Sequence, residues 1–128
     1  MHYGTVNRYL EPIVSLTALY VNSEEERIDF TIDTGFTEEI ALPPDIIEQL
    51  GLPQEQDDAV LTLADGTNRA LTVHTGWVEW HGQIREVDAI SADTTPLLGM
   101  KMLAGGILNV EATPGGAVTI TRIELTTI

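Results

Sequence analysis

The sequence contains no cysteine among its 128 residues. Disulfide bonds, thiolate metal ligands and a thiol nucleophile are therefore excluded for this chain. Basic residues are scarce too, because 6 lysines and arginines stand against 20 aspartates and glutamates, for a formal net charge of −14. A chain this acidic repels nucleic-acid phosphates and anionic membranes, so we expect neither as a partner.

Long apolar runs are also missing. No uninterrupted apolar segment reaches the length that spans a bilayer, and residues 1–12 lack the charged and then apolar order of a signal peptide. A chain without cysteine is compatible with a reducing compartment. We therefore predict a cytoplasmic protein. The length and the 43% hydrophobic content predict one domain, residues 1–128, large enough to bury a core.

What the sequence does have is a repeated β pattern. Alternating or continuous apolar segments are separated by turn residues, which predicts strands over 13–21, 27–32, 59–63, 71–78, 84–90, 107–110 and 117–123. Residues 1–9 are expected to be a polar lead-in without regular structure. Many short strands with frequent turns are typical of a small β-barrel or closed sandwich, so the predicted fold class is mostly β.

One or two short helices are expected between the strands. The segment 43–53 has prolines suited to a first helical turn, three apolar residues on one face, and Gly51 as a C-terminal stop. The segment 97–103 places a glycine between apolar residues and is expected to lead into a second short helix.

The most informative stretch is a strand that ends in a turn. Ile28, Phe30 and Ile32 are the apolar half of an alternating pattern over 28–33, which indicates a strand with one buried face. Thr34-Gly35 follows as a turn signal, with a glycine free to take positive φ. Asp33 is therefore expected at the end of a core strand, where the turn presents its carboxylate.

The triplet Asp33-Thr34-Gly35 resembles the active-site triplet of the aspartic proteases. In retropepsin-like proteases a second apolar-apolar-glycine segment follows and leads into a short helix, and residues 96–103 resemble that segment. The chain from about Leu10 to Ile123 is similar to the single-lobe, non-retroviral members of the retropepsin-like group (clan AA). The resemblance implies a small closed β-barrel with one or two short helices, acting on peptide or protein substrates.

Aspartic proteases hydrolyse peptides with two carboxylates that share one proton, because like charges about 3 Å apart cannot both ionise. The ionised carboxylate takes a proton from water and the protonated one polarises the carbonyl, so neither a metal nor another cofactor is expected. The Asp-Thr-Gly triplet occurs once in this chain. The resemblance therefore implies a homodimer with Asp33 from each copy, for which the strand 117–123 is a candidate interface. Activity should peak at acidic pH.

Roles for further residues are implied by the same resemblance. Thr34 would hydrogen-bond across the two-fold axis, and Gly35 would let the substrate backbone approach. Phe36 and Thr37 would lie beside the substrate, at positions where the family usually carries a small residue and then an acid. The hairpin tip Ala64-Asp65-Gly66-Thr67 would form the flap that closes over substrate. A second departure from the family pattern is Gly99-Met100-Lys101, which lacks the acid or asparagine that usually follows.

Simpler explanations remain open at this point. Asp33 could cap its strand as an Asx-turn residue, and Asp65-Gly66 could be an ordinary hairpin turn. His74 and His81 have no carboxylates spaced around them as metal ligands would be, so no metal site is predicted. Two other functions also remain: a non-catalytic dimeric peptide-binding domain on the same fold, and an unrelated acidic β-barrel that binds a small ligand or a protein.

Overall fold

The fold comes from a computed structural model that describes residues 1–55, 58–62 and 65–124. Eleven strands and two helices are found in these residues. The strands are β1 (His2–Val6), β2 (Pro12–Leu19), β3 (Glu25–Ile32), β4 (Ile40–Leu42), β5 (Ala59–Thr62), β6 (Asn68–Leu71), β7 (Val73–Trp80), β8 (Gln83–Ser91), β9 (Leu97–Leu98), β10 (Gly106–Val110) and β11 (Ala117–Arg122). The helices are α1 (Pro44–Leu50) and α2 (Met100–Leu103).

Six of the strands close into a barrel. Their order is β2–β3–β9–β4–β8–β7, and a pairing of Ala18 with Val78 joins β7 back to β2. The short β9 is parallel to β3 and antiparallel to β4, so it inserts between two strands that precede it in sequence. The apolar faces meet inside, where Phe30, Leu98 and Met102 have no solvent exposure. The predicted mostly β fold and closed barrel are confirmed.

Three more strands extend the barrel sheet from β2, in the order β2–β1–β11–β10. We call β1, β11 and β10 the terminal ribbon. Thr5 of β1 lies opposite both Ile13 and Ala117, which fixes the register across the ribbon. β10 stands last in this order, and its outer edge has no strand partner within the described part of the chain. Within residues 1–55, 58–62 and 65–124, the ribbon therefore ends in an unpaired sheet edge.

The predicted helices are confirmed. Pro44 stands at the first position of α1, and Gly51 ends the helix in the left-handed conformation with φ 72°. Gly99 precedes α2 directly, as the apolar-glycine pattern indicated. Among the described residues, no helix has the length and apolar character that crossing a membrane requires.

One expectation was wrong. Residues 1–9 are not simply a polar lead-in, because β1 pairs with both β2 and β11. The strand was missed because only Val6 on its inner face is a large apolar residue. The strand 117–123 is present as β11, but it is paired on both edges, and Val118 and Ile120 are buried in the chain's own core. Its apolar alternation therefore gives no support for the predicted interface on that strand.

His2 fastens the beginning of β1 to the barrel. Its ring stacks on Trp80 with a centroid distance of 4.5 Å, and its Nε2 accepts the backbone N–H of His81 at 2.9 Å. Burial lowers the pKa of His2 to about 4, helped by His81, the N-terminal amine and Arg27. The ring is therefore neutral at pH 7, as an acceptor must be.

We expect this contact to weaken in acid. Because the folded-state pKa of His2 lies below its ordinary value of 6.5, the unfolded chain binds more protons between about pH 6.5 and 4, and the free energy of unfolding falls across that window. His2→Gln keeps an acceptor but does not titrate. In urea unfolding, the parent should lose about 1 kcal/mol more than His2→Gln over this window, since solvent screens a half-buried ring. Parallel stability curves would contradict this assignment.

Candidate active site

The turn after β3 presents the Asp33 carboxylate. The backbone N–H of Asp33 donates to the Leu98 carbonyl at 2.9 Å, and the Asp33 carbonyl accepts the N–H of Phe36 at 3.1 Å. The carboxylate itself accepts the N–H of Gly35 at 2.9 Å through Oδ1, which is the Asx-turn geometry. The residue is partly exposed. The turn thus fixes one oxygen and directs the carboxylate toward the surface.

Gly35 does not use the conformational freedom that the sequence suggested. It is not among the glycines with positive φ. A Cβ at this position would lie 3.3 Å from the Asp33 carboxylate, closer than most real Cβ contacts. Glycine is therefore favoured here because a side chain would crowd the Asp33 carboxylate, and not because the residue needs a positive φ.

The turn is joined to the start of α2 by backbone hydrogen bonds. Gly99 donates its N–H to the Glu39 carbonyl at 2.8 Å, and Met100 donates to the Phe36 carbonyl at 2.8 Å. A Cβ at Gly99 would overlap the carbonyl oxygen of Glu38 and touch Phe36. Gly99 therefore allows the two segments to meet.

Glu39 ties the same turn to β8. The residue is 8% exposed, and its two carboxylate oxygens accept from Nη2 of Arg85 at 2.7 Å and from the backbone N–H of Asp88 at 2.8 Å. A buried carboxylate is tolerated when it is paired and hydrogen-bonded in this way. An acid directly before the apolar run of β4 was one weak sequence signal of this contact, but no pattern identified Arg85 as its partner.

The hairpin β5–β6 lies beside the turn as a separate two-stranded sheet. Its residues pack with residues of the turn and the barrel in one apolar cluster, which includes Phe36, Ala41, Leu61, Leu71, Ile90 and Leu97. A cavity of about 370 Å³ is lined by both parts, with Phe36 and Leu97 on one side and Leu61 and Arg69 on the other. Among described residues, Phe36 lines this cavity and Asp33 does not.

The structure describes three of the four predicted flap residues, Asp65, Gly66 and Thr67. Gly66 has φ 85°, and Asp65 accepts the Thr67 hydroxyl at 2.6 Å and the Thr67 N–H at 3.0 Å. These hydrogen bonds lower the pKa of Asp65. Ala64 lies outside the described residues. The hairpin is therefore present, while its action as a flap stays a prediction.

The remaining candidates lie apart from the cavity. Thr34 and Thr37 are exposed, and neither makes a side-chain hydrogen bond to another described residue. His74 bonds the Leu52 carbonyl and the Thr72 hydroxyl. Within residues 1–55, 58–62 and 65–124, no group of three metal-ligating side chains occurs. Trp80 is buried in the core, as expected from its place in the barrel wall.

A closed six-strand barrel, in which an Asp-Thr-Gly turn meets an apolar-glycine-helix segment, defines the retropepsin-like aspartic protease fold. The crystal structure of a retropepsin-like aspartic protease from Rickettsia conorii has this fold, with a TM-score of 0.53, 17% sequence identity, and coverage of 93% of this chain and 88% of that chain. The family model described as "gag-polyprotein putative aspartyl protease" matches residues 18–105, and the chain belongs to that family. No curated protein matches the chain.

A double-mutant cycle can test whether the Glu39–Arg85 ion pair stabilises the fold. Arg85→Met leaves a buried carboxylate without its cation and should lower the free energy of unfolding by about 3 kcal/mol. Glu39→Gln, which removes the charge and keeps an acceptor, should lower it less. The double variant should be more stable than Arg85→Met alone, as measured in urea. Strictly additive changes would show that the pair does not stabilise the turn.

Proposed function

We propose that the protein is an aspartic endopeptidase that hydrolyses peptide bonds as a homodimer, with Asp33 of each copy forming the catalytic pair. In this proposal residues 1–128 form a single retropepsin-like domain. Thr34 steadies the two turns across the axis, and Gly35 leaves room for the substrate backbone. The observation that supports it most is the Asp33 turn itself, which exposes a carboxylate while backbone hydrogen bonds to Leu98 and Gly35 hold it in place.

The need for a second copy follows from the chemistry of the pair. One carboxylate of the pair must be ionised to accept a proton from water while the other is protonated, and the two titrate as a unit. The Asp-Thr-Gly triplet occurs once in the chain. A two-fold axis beside Asp33 would supply the second carboxylate and make the two halves of the site identical.

The cavity between Phe36 and the β5–β6 hairpin is the proposed binding site for a substrate side chain. Its largely apolar walls suit an apolar substrate side chain. In the proposal Phe36 and Thr37 contact the substrate near the bond that is cut. The tip 64–67 closes over it and excludes water. Arg69 and Asp93, which also line the cavity, are additional polar contacts that the sequence did not suggest.

A non-catalytic dimeric peptide-binding domain is the second candidate. One observation favours it: among the described residues Phe36 lines the cavity and Asp33 does not, so a peptide side chain could bind there without meeting the carboxylate. Both candidates use the same cavity and the same dimer. They differ in whether a bound peptide is cleaved.

Asp33→Asn is expected to abolish cleavage without unfolding the protein. Asparagine keeps the oxygen that accepts from Gly35 and removes the ionisable group, so peptide hydrolysis should fall by at least about 100-fold. The matched control is Asp29→Asn on the same strand, where the carboxylate accepts only from Ser15 among the described residues. Rates with a peptide library should peak below neutral pH in the parent and in Asp29→Asn. Equal rates for Asp33→Asn and the parent would exclude the proposed chemistry, whereas binding without cleavage by the parent would favour the second candidate.

Phe36→Ala is expected to change which side chains are accepted near the cut. The substitution enlarges the cavity, so preference should move toward bulkier side chains by about 1–3 kcal/mol in relative kcat/KM. Tyr9→Ala, which removes an exposed aromatic ring away from the cavity, is the control. Identical cleavage profiles for parent and Phe36→Ala would place Phe36 outside the substrate site.

A further inference from the structure

A second cavity lies away from the Asp33 turn. It has a volume of about 330 Å³ and lies between the end of the β7–β8 hairpin, the segment from α2 to the start of β10, and the end of β11. No residue that lines it also lines the cavity beside Phe36. The two cavities are therefore separate places on the molecule.

Basic side chains are concentrated around this second cavity. The chain has 6 lysines and arginines against 20 aspartates and glutamates, yet Arg85, Arg122 and His81 all line the cavity. Among the described residues, no aspartate or glutamate lines it. The lining thus has the opposite charge balance to the chain as a whole, and a cleft lined by one sign of charge attracts ligands of the other sign.

Arg122 supplies most of the charge that a ligand could use. It is exposed and forms no salt bridge with another described residue. Arg85 directs its Nη2 to Glu39 at 2.7 Å, so that carboxylate already balances its charge. His81 is neutral at neutral pH, because burial, the N-terminal amine and Arg122 lower its pKa from the ordinary value of 6.5. The lining therefore suits a singly charged anion better than a doubly charged one.

The deeper part of the cavity is apolar. Trp80, Met102 and Ile120 line it and are buried core residues. Ile84 also lines the cavity and is 54% exposed, so apolar surface continues to its mouth. Small-molecule sites typically combine apolar walls of this kind with a few polar groups that fix the orientation of the ligand. A ligand that fits both parts carries one negative charge on a short apolar chain.

We propose that this cavity binds a small apolar carboxylate, whose charged group pairs with Arg122 and whose chain contacts Trp80, Met102 and Ile120. A guanidinium can donate two parallel hydrogen bonds to a carboxylate, which fixes its orientation as well as its position. Inorganic phosphate has no apolar part for the deeper walls. The inference does not rest on the proposed function, because neither Asp33 nor the cavity beside Phe36 contributes to this site.

Hexanoate is a suitable probe, with Trp80 as the reporter. The chain has two tryptophans, so Trp77→Phe leaves Trp80 in the cavity wall as the one source of tryptophan fluorescence. Titration with hexanoate should change this fluorescence saturably, with a Kd on the order of 1 mM for so small a ligand. At equal ionic strength, hexanol, which lacks the charge, and inorganic phosphate, which lacks the chain, should each bind at least about tenfold more weakly.

Two arginines that receive the same substitution separate a site from a general effect of charge. Arg122→Gln should raise the Kd of hexanoate about tenfold, because it removes the cation that the ligand pairs with. Arg8→Gln removes the same charge between β1 and β2, where Arg8 bonds the Tyr9 hydroxyl, and should leave the Kd near the parent value. Arg122→Lys keeps a positive charge and should weaken binding less than Arg122→Gln does. Urea unfolding checks that each variant is folded.

Four outcomes would overturn the inference: no saturable change with hexanoate, equal affinity for hexanoate and hexanol, tighter binding of phosphate than of hexanoate, or equal effects of Arg122→Gln and Arg8→Gln. The protease function is tested separately. Asp33→Asn should bind hexanoate as tightly as the parent does, so binding can be measured whether or not peptides are cleaved.

Discussion

The close contact between Gly99 and the loop after β3 is the constraint on which the site depends. Carbonyl oxygens of that loop lie where any side chain at position 99 would stand, so the residue must be glycine. Two backbone hydrogen bonds flank this contact: the Leu98 carbonyl accepts from Asp33, and the Met100 N–H donates to Phe36. They fix the position and orientation of the loop. The backbone of Asp33 is therefore held by backbone atoms of a distant segment, while the Gly35 N–H orients its carboxylate.

Charged residues are placed differently in the core and on the surface of the protein. Burial of Glu39 is tolerated because Arg85 and a backbone N–H satisfy both of its oxygens. The terminal ribbon carries no charge on its outer face, while most acids lie elsewhere on the surface. High net charge favours solubility and opposes association between copies of the chain.

Much of the fold could be predicted from local pattern. A few neighbouring residues determine each of three features: the apolar alternation from Ile28 to Ile32, the helix end at Gly51 and the Asp33 turn. β1 was missed because its inward positions are a histidine, a glycine and a valine, and their burial depends on partners far along the chain. The Glu39–Arg85 pair and the apolar cavity were missed for the same reason: both arise from contacts between segments whose separation in sequence gives no periodic signal.

The insertion of β9 between β3 and β4 has a consequence for synthesis of the protein. About 65 residues separate Asp33 from Leu98, and neither segment can take its final geometry without the other. At roughly 5–20 residues per second, several seconds pass on the ribosome before Leu98 follows Asp33. A nascent chain, or one truncated before Pro96, carries the Asp-Thr-Gly triplet without the backbone that orients it. The geometry around Asp33 is therefore completed only after most of the chain has been made.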